Sequence, residues 1–154
     1  MEAVPWVAWI GACTGVASLG WNVYTRMTAG PHLRVSALPG MKQMPPPAGN
    51  PTFLSVSVRN VGTAPTTLTN LSLQVYDSRW KRMRHMASSN FVVVNYVGPA
   101  LPFKLDVGAE WRAFMRQDEG FDELLATGKL WCGVWHSFST KAVESKVVQP
   151  RIKM

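Results

Sequence analysis

The segment Phe53-Leu54-Ser55-Val56-Ser57-Val58-Arg59 alternates apolar and polar side chains with a period of two. Successive side chains of a β-strand point to opposite faces of the sheet. Leu54, Val56 and Val58 would therefore face a core, with the polar residues on the other side. The alternation predicts a half-buried strand, and this strand decides the fold class of the region around it.

Similar apolar or alternating runs recur along the chain, separated by turn-forming residues. They lie at 33–37, 71–76, 91–97, 110–116, 130–138 and 142–148. The Pro-rich stretch 39–51 predicts a loop, and only 121–127 has a helical pattern, with Gly128 as its C-terminal cap. About seven short strands with Pro and Gly between them predict an immunoglobulin-like antiparallel β-sandwich with one short helix, which makes the chain mainly β.

The N-terminal part is different, because residues 3–25 carry no charged side chain. At ~1.5 Å per residue a helix of this length would cross the ~30 Å hydrocarbon core. Aromatic side chains near both ends suit the two membrane interfaces. We therefore predict a transmembrane anchor over 1–30 and a β-sandwich domain over 31–154. The predicted membrane-interface residues are Trp6, Trp9, Trp21, Tyr24 and Arg26.

Two alternatives to an anchor are a buried core helix and a cleaved signal peptide, and the chain lacks the positive start of the latter. Arg26 and further basic residues follow the segment. The positive-inside rule then predicts a single-pass protein of the cell inner membrane whose domain lies in the cytoplasm. Gly11 and Gly15 have the GxxxG spacing that lets two helices approach closely. A homo-oligomer through this helix and a monomeric anchor are both compatible with that spacing.

Several segments together carry a resemblance to a group of proteins. They are the uncharged aromatic-flanked start, Gly30-Pro31-His32-Leu33-Arg34-Val35, the turn 60–68, Leu101-Pro102-Phe103 ahead of Gly108, and the strand 128–134. With these segments the chain resembles small uncharacterised bacterial membrane proteins that have one N-terminal transmembrane helix and an immunoglobulin-like domain. The resemblance implies an architecture. It implies no activity and assigns no residue a role.

Candidate chemistry is sparse in the rest of the sequence. Cys132 and His136 would share one strand face, but at ~3.3 Å per residue their Cα atoms would lie about 13 Å apart, too far for joint zinc ligands. His136 and Ser137 would point to opposite faces of the strand, so they form no nucleophile and base by adjacency. No phosphate-binding loop or calcium loop is present. We predict no enzyme activity, no metal site and no cofactor.

The net charge of +7 favours an anionic neighbour. The densest basic segment, 79–85, lies between two predicted strands and is either an ordinary solvated loop or a contact surface for an anionic neighbour. A short tether to the anchor would hold it near lipid headgroups, so among such neighbours membrane lipid is favoured over nucleic acid. Two Trp residues on one strand face would lie outside if Cys132 and Val134 face the core, unless a helix or loop covers them. The candidate partner or lipid surface comprises Arg79, Trp80, Lys81, Arg82, Arg84, Trp131 and Trp135.

These expectations predict a non-enzymatic, single-pass membrane protein. Its β-sandwich would dock a protein partner or a membrane complex at the membrane surface. The alternative is a structural accessory subunit that stabilises a larger membrane assembly.

Overall fold

The computed structural model describes residues 4–46 and 48–148. The chain divides into two compact units, Met1–Gly30 and Pro31–Met154. We predicted an anchor at 1–30 and a domain at 31–154. Residues 1–3 of the anchor and 149–154 of the domain lie outside the described residues.

The first unit is one helix, α1, at Val4–Thr28. Pro5 stands in its first turn, where no intrahelical partner is needed for the missing N–H group. Thr14 and Thr25 donate their hydroxyl hydrogens back to the carbonyl oxygens of Ile10 and Trp21, at 2.8 and 2.9 Å. The prediction of a helix in the N-terminal region is therefore confirmed.

The membrane-spanning part of that prediction is not supported. In the part of the chain that the structure describes, no helix combines the length and the apolar character needed to cross a bilayer. The physical reason lies in composition, because α1 holds one Leu and one Ile among many Gly, Ala, Ser and Thr residues.

The second unit is mainly β. In chain order its described elements are β1 Leu33–Lys42, β2 Thr52–Asn60, β3 Thr66–Val75, α2 Arg79–Met83, β4 Ser89–Val92, β5 Phe103–Leu105, β6 Glu110–Arg116, α3 Glu119–Ala126, β7 Leu130–His136 and β8 Ser139–Lys146.

The strands form two antiparallel sheets. One has three strands in the order β1-β2-β6, and the other has five, in the order β4-β3-β7-β8 with β5 paired to the first residues of β3. Alternation sets the register: Val58 lies opposite Trp111 in the first sheet, and Leu73 opposite Cys132 in the second. Side chains of both sheets contribute to one hydrophobic core.

The core confirms the alternation read from the sequence. Leu54, Val56 and Val58 are almost completely buried, as are Trp111 and Ala113 on β6. The Trp111 indole N–H donates to the Pro99 carbonyl at 3.0 Å, and its ring meets Tyr96 edge-on at 5.8 Å. An aromatic ring whose polar atom is satisfied in this way packs at the centre without a desolvation penalty.

Four local predictions were wrong. The strand β1 continues to Lys42 through a register shift after Leu38, so the loop expected at 39–51 begins later. The strand expected at 91–97 ends at Val92, and Val97 forms only an isolated bridge to Phe114. The strand β5 and the helix α2 were not predicted. The expected helix at 121–127 is present as α3, with Asp118 accepting from the Phe121 N–H at 2.8 Å.

Candidate functional site

The basic segment 79–85 is folded as a short helix with a defined start. The Ser78 hydroxyl oxygen accepts from the Lys81 N–H at 3.2 Å, which is the usual N-cap hydrogen bond. Lys81 also forms an ion pair with Asp77 at 2.8 Å, and Ser88 donates to the same carboxylate. Hydrogen bonds from Lys81 and then Ser88 lower the pKa of Asp77 below its usual value. Local contacts therefore order a segment that was expected to be a loop.

Arg82 of α2 covers part of the outer face of the five-stranded sheet. Its guanidinium carbon lies 3.7 Å from the ring centre of Trp131, a cation–π contact. Its Nε lies 3.8 Å from Glu144 Oε2. Cys132 and Val134 face the core, as the sequence analysis supposed, so Trp131 is on the outer face, where it is half-buried. The sequence left two alternatives for this ring, exposure or coverage by a helix or loop. Arg82 of α2 lies over it, so the ring is partly covered.

Glu144 is the buried centre of this outer-face cluster. Its side chain is 8% exposed, and its Oε1 accepts from the Tyr76 hydroxyl at 2.6 Å. His85 Nδ1 lies 3.5 Å from the same oxygen. Burial, and then the hydrogen bond to Glu144, raise the pKa of Tyr76 well above its ordinary value. The carboxylate thus links β3, β8 and the end of the basic segment.

A cavity of about 610 Å³ opens beside this cluster. The two arginines that line it, Arg79 and Arg82, are three residues apart and so share one face of α2. The sheet side is supplied by Tyr76 and Trp131, and further cations come from the β7 end and from β8. Among the described residues, the lining consists of Tyr76, Asp77, Ser78, Arg79, Arg82, Met83, Gly128, Lys129, Trp131 and Lys146.

The surface predicted from sequence is therefore only partly assembled. Arg79, Arg82 and Trp131 line the cavity. Arg84 packs over the exposed Trp80 ring at 4.7 Å and, like Trp80 and Lys81, is not among the lining residues. Trp135 is half-buried and lies opposite Asn70 in the register of β3 and β7.

Sequence reasoning missed Tyr76, Glu144, Lys129 and Lys146 as members of this site. The available signal was the polar pair Gln74, on β3, and Tyr76, just after it, which alternates with the core residues. Polar residues on the outer face are usually solvated, and the structure buries these two at 5% and 4% exposure. Their surroundings include Trp131 on β7 and Glu144 on β8, which are distant in sequence.

The residues considered for catalysis, Cys132, His136 and Ser137, do not line this cavity. Cys132 is fully buried, and burial raises the pKa of its thiol to about 12. Thr66 Oγ1 lies 3.2 Å from His136 Nδ1 and 3.5 Å from Ser137 Oγ. Burial lowers the pKa of His136. Thr66, which the sequence did not indicate, therefore stands between the imidazole and the serine.

Within 4–46 and 48–148, no three His, Cys, Asp or Glu side chains are grouped so that they could hold a metal ion.

The predicted membrane-facing residues lie along α1. Every side chain described there, from Trp6 to Arg26, is exposed, including the Gly11 and Gly15 positions. The rings of Trp21 and Tyr24 lie 6.1 Å apart at 37°. Among the described residues of this unit, none covers the apolar surface of the helix.

No protein-family model matches the sequence, and no significant match is found among curated proteins.

Proposed function

We propose that the chain is a non-enzymatic, single-pass protein of the cell inner membrane, anchored by α1, whose β domain docks a protein partner or membrane complex at the membrane surface. The single observation that carries the proposal is the exposure of α1. Its large apolar side chains, such as Trp9 at 72% and Val16 at 72%, are exposed in water. An apolar surface of this extent favours association with lipid or another apolar surface.

Two features support a membrane as that surface. From Val4 to Thr25 no side chain carries a charge, and Arg26 follows directly. The hydroxyls of Thr14 and Thr25 are hydrogen bonded within the helix, so they need no water. In an apolar environment polar groups have to be satisfied internally. In this proposal the β domain lies on the cytoplasmic side, which the positive-inside rule supports because basic residues follow the helix.

The experiment compares the full chain with Val16→Arg. A charge near the centre of an inserted helix costs ~3 kcal/mol, so the variant should leave the membrane fraction after carbonate washing while the parent stays. Ser36→Arg is the matched control, because it adds the same charge on an exposed position of β1. Equal retention of Val16→Arg and the parent would refute the anchor. Removal of the domain by protease added to intact spheroplasts would refute the cytoplasmic side.

The surface we propose for partner docking is the edge strand β4. Val92 and Val94, on or just after this strand, are 57% and 76% exposed. An edge strand with exposed apolar side chains offers backbone groups and side chains to a partner. Together with the sandwich, which we propose to be of immunoglobulin-like type, this edge would provide the docking surface.

The docking test uses Val92→Lys, which places a charge on this edge, with Val107→Lys as control. Val107 is exposed to a similar extent, 53%, in a turn outside the strands. Cross-linked neighbours in native membranes should be lost with the first variant and kept with the second. Salt-sensitive, substoichiometric neighbours fit docking, whereas stable stoichiometric ones would favour the structural accessory subunit. Identical neighbours in both variants would exclude β4.

Self-association through α1 has a separate test. Leu at positions 11 and 15 would fill the small-residue face that two helices need for close approach. We expect Gly11→Leu with Gly15→Leu to reduce cross-linked dimers. Gly20→Leu, which adds one side chain elsewhere on the helix, is the control. Unchanged dimers in the double variant would show that this face is not used.

A further inference from the structure

The cavity beside α2 has an excess of positive charge. Four of its lining residues are basic, namely Arg79, Arg82, Lys129 and Lys146, and Asp77 is the one acid among them. The Asp77 carboxylate is already engaged by Lys81 at 2.8 Å. Within residues 4–46 and 48–148, Arg79, Lys129 and Lys146 have no carboxylate within ion-pair distance. The lining therefore holds four cations against one carboxylate, and that carboxylate, Asp77, interacts with Lys129 only beyond ion-pair distance.

Two side chains at the floor of the cavity, Tyr76 and Arg82, make contacts with the sheet. Tyr76 is 4% exposed and anchored to Glu144 at 2.6 Å. Arg82 has its face on Trp131 and its Nε directed to Glu144. The described residues accept no hydrogen bond from its terminal nitrogens. A guanidinium presents these donors in a planar fork that suits an oxyanion.

We propose that this cavity binds the phosphate group of a phosphorylated ligand. A phosphate monoester carries about −1.5 to −2 charges at neutral pH, which matches the excess of basic over acidic lining residues better than a single carboxylate does. The volume of about 610 Å³ is within the range of small-ligand sites, so the ligand extends beyond the phosphate itself. Trp131 and Met83 provide apolar contacts for that remainder.

The test is a ³¹P NMR titration of the full chain, in maltoside micelles, with inorganic phosphate. Arg79→Gln, Lys129→Gln and Lys146→Gln should each weaken binding about fivefold, the effect of losing one nearby cation. The triple variant should show no saturable binding. The control triple variant Arg34→Gln, Lys104→Gln, Lys141→Gln removes the same charge from exposed positions that do not line the cavity. It should bind within about twofold of the parent, since distant exposed charges are screened.

A second arm identifies the source of the phosphate. The titration is repeated in micelles that contain phosphatidylglycerol. If the lipid headgroup occupies the cavity, added inorganic phosphate no longer binds, and if the ligand is soluble the titration is unchanged. Both results support a phosphate site. Absence of saturable binding by the parent in pure maltoside, or an equal loss in the control triple variant, would overturn it.

Folding is checked independently by the urea midpoint of each variant. The three cavity cations are exposed at Arg79, Lys129 and Lys146, so we expect the midpoints to stay close to the parent value. If the triple variant does not fold, the three single variants carry the test. The readout is ligand binding and does not involve α1. Its failure would leave the membrane proposal intact, and failure of that proposal would leave the phosphate site intact.

Discussion

The hydrogen bond between Tyr76 and Glu144 yields the sharpest stability prediction. The tyrosine hydroxyl lies 2.6 Å from Glu144 Oε1, and both side chains are buried. We consider Tyr76→Phe, Glu144→Gln and the double variant. Phe keeps the ring and removes only the donor, while Gln keeps the shape and one acceptor oxygen. The Tyr76 hydroxyl also lies 2.9 Å from Gln74 Oε1, so only the coupling energy of the double-variant cycle reports the hydrogen bond to Glu144.

The magnitudes follow from what each change leaves behind. A hydrogen bond to a charged group contributes ~1.5–3 kcal/mol. After Tyr76→Phe, Glu144 keeps only Arg82 at 3.8 Å and His85 at 3.5 Å, and both distances are longer than a good hydrogen bond. We expect a loss of about 2 kcal/mol for Tyr76→Phe and about 1 kcal/mol for Glu144→Gln. The double variant should be more stable than the sum of the two losses implies, by about 1 kcal/mol.

The assay is urea unfolding at pH 7, with the slope against urea checked to be unchanged so that midpoints report stability. Tyr96→Phe with Glu144→Gln is the control cycle. Tyr96 accepts a hydrogen bond from the Leu101 N–H and belongs to the core around Trp111, so these two changes should add. If the Tyr76 cycle is also additive within ~0.3 kcal/mol, the hydrogen bond does not stabilise the fold.

A pH series gives a second readout of the same bond. The pKa of Tyr76 is raised above its ordinary 10.0 in the folded state. Above this pH the folded chain holds the proton and the unfolded chain loses it. The stabilising contribution is therefore complete below pH 10 and is lost as the pH rises above it. In Tyr76→Phe this part of the decline should disappear, and an unchanged alkaline slope would contradict the reasoning.

Three further predictions concern other parts of the domain. Burial lowers the pKa of His136 from 6.5. The unfolded chain therefore binds more protons below that pH, and stability falls as the pH drops. His136→Gln should reduce the change in urea midpoint between pH 7.5 and 5.5, and a change equal to that of the parent would refute this. Cys132 is buried with a thiol pKa of about 12. Iodoacetamide should therefore leave Cys132 unmodified before unfolding and modify it afterwards, as mass spectrometry of its peptide can show. A Cβ at Gly98 would lie 2.6 Å from the Arg112 carbonyl oxygen, so Gly98→Ala should cost about 2 kcal/mol of unfolding free energy, and a cost below ~0.5 kcal/mol would show that the backbone shifts freely.

The sequence was sufficient to predict which side chains of a strand face the core when the alternation within that strand is clear. Alternation placed Leu54, Val56 and Val58 in the core, because a period of two assigns faces without reference to the rest of the chain. The helix α3 was also readable, because Gly128 at its C-terminal end is a local signal. These predictions depended on contacts within a few residues.

Elements that depend on distant partners were not readable. Phe91 to Val97 is β-branched and apolar, yet only its first residues find a partner along β3. The segment 103–105 becomes a strand because β3 has a free position beside Thr66 to Leu68. The sequence indicated only part of the proposed phosphate site, namely the basic residues of α2. Glu144 and Lys146 join them only through the pairing of β7 with β8.

The contact between the first and last strands of the domain has a consequence for synthesis. β1 and β8 pack together, so the domain cannot close until β8 has been synthesised. About 120 residues separate the end of α1 from the end of β8, a delay of roughly 10 s at usual elongation rates. During that interval α1 is already made while the strands behind it are still unfolded. In the proposed membrane-anchored protein, delivery of the helix would therefore precede maturation of the domain.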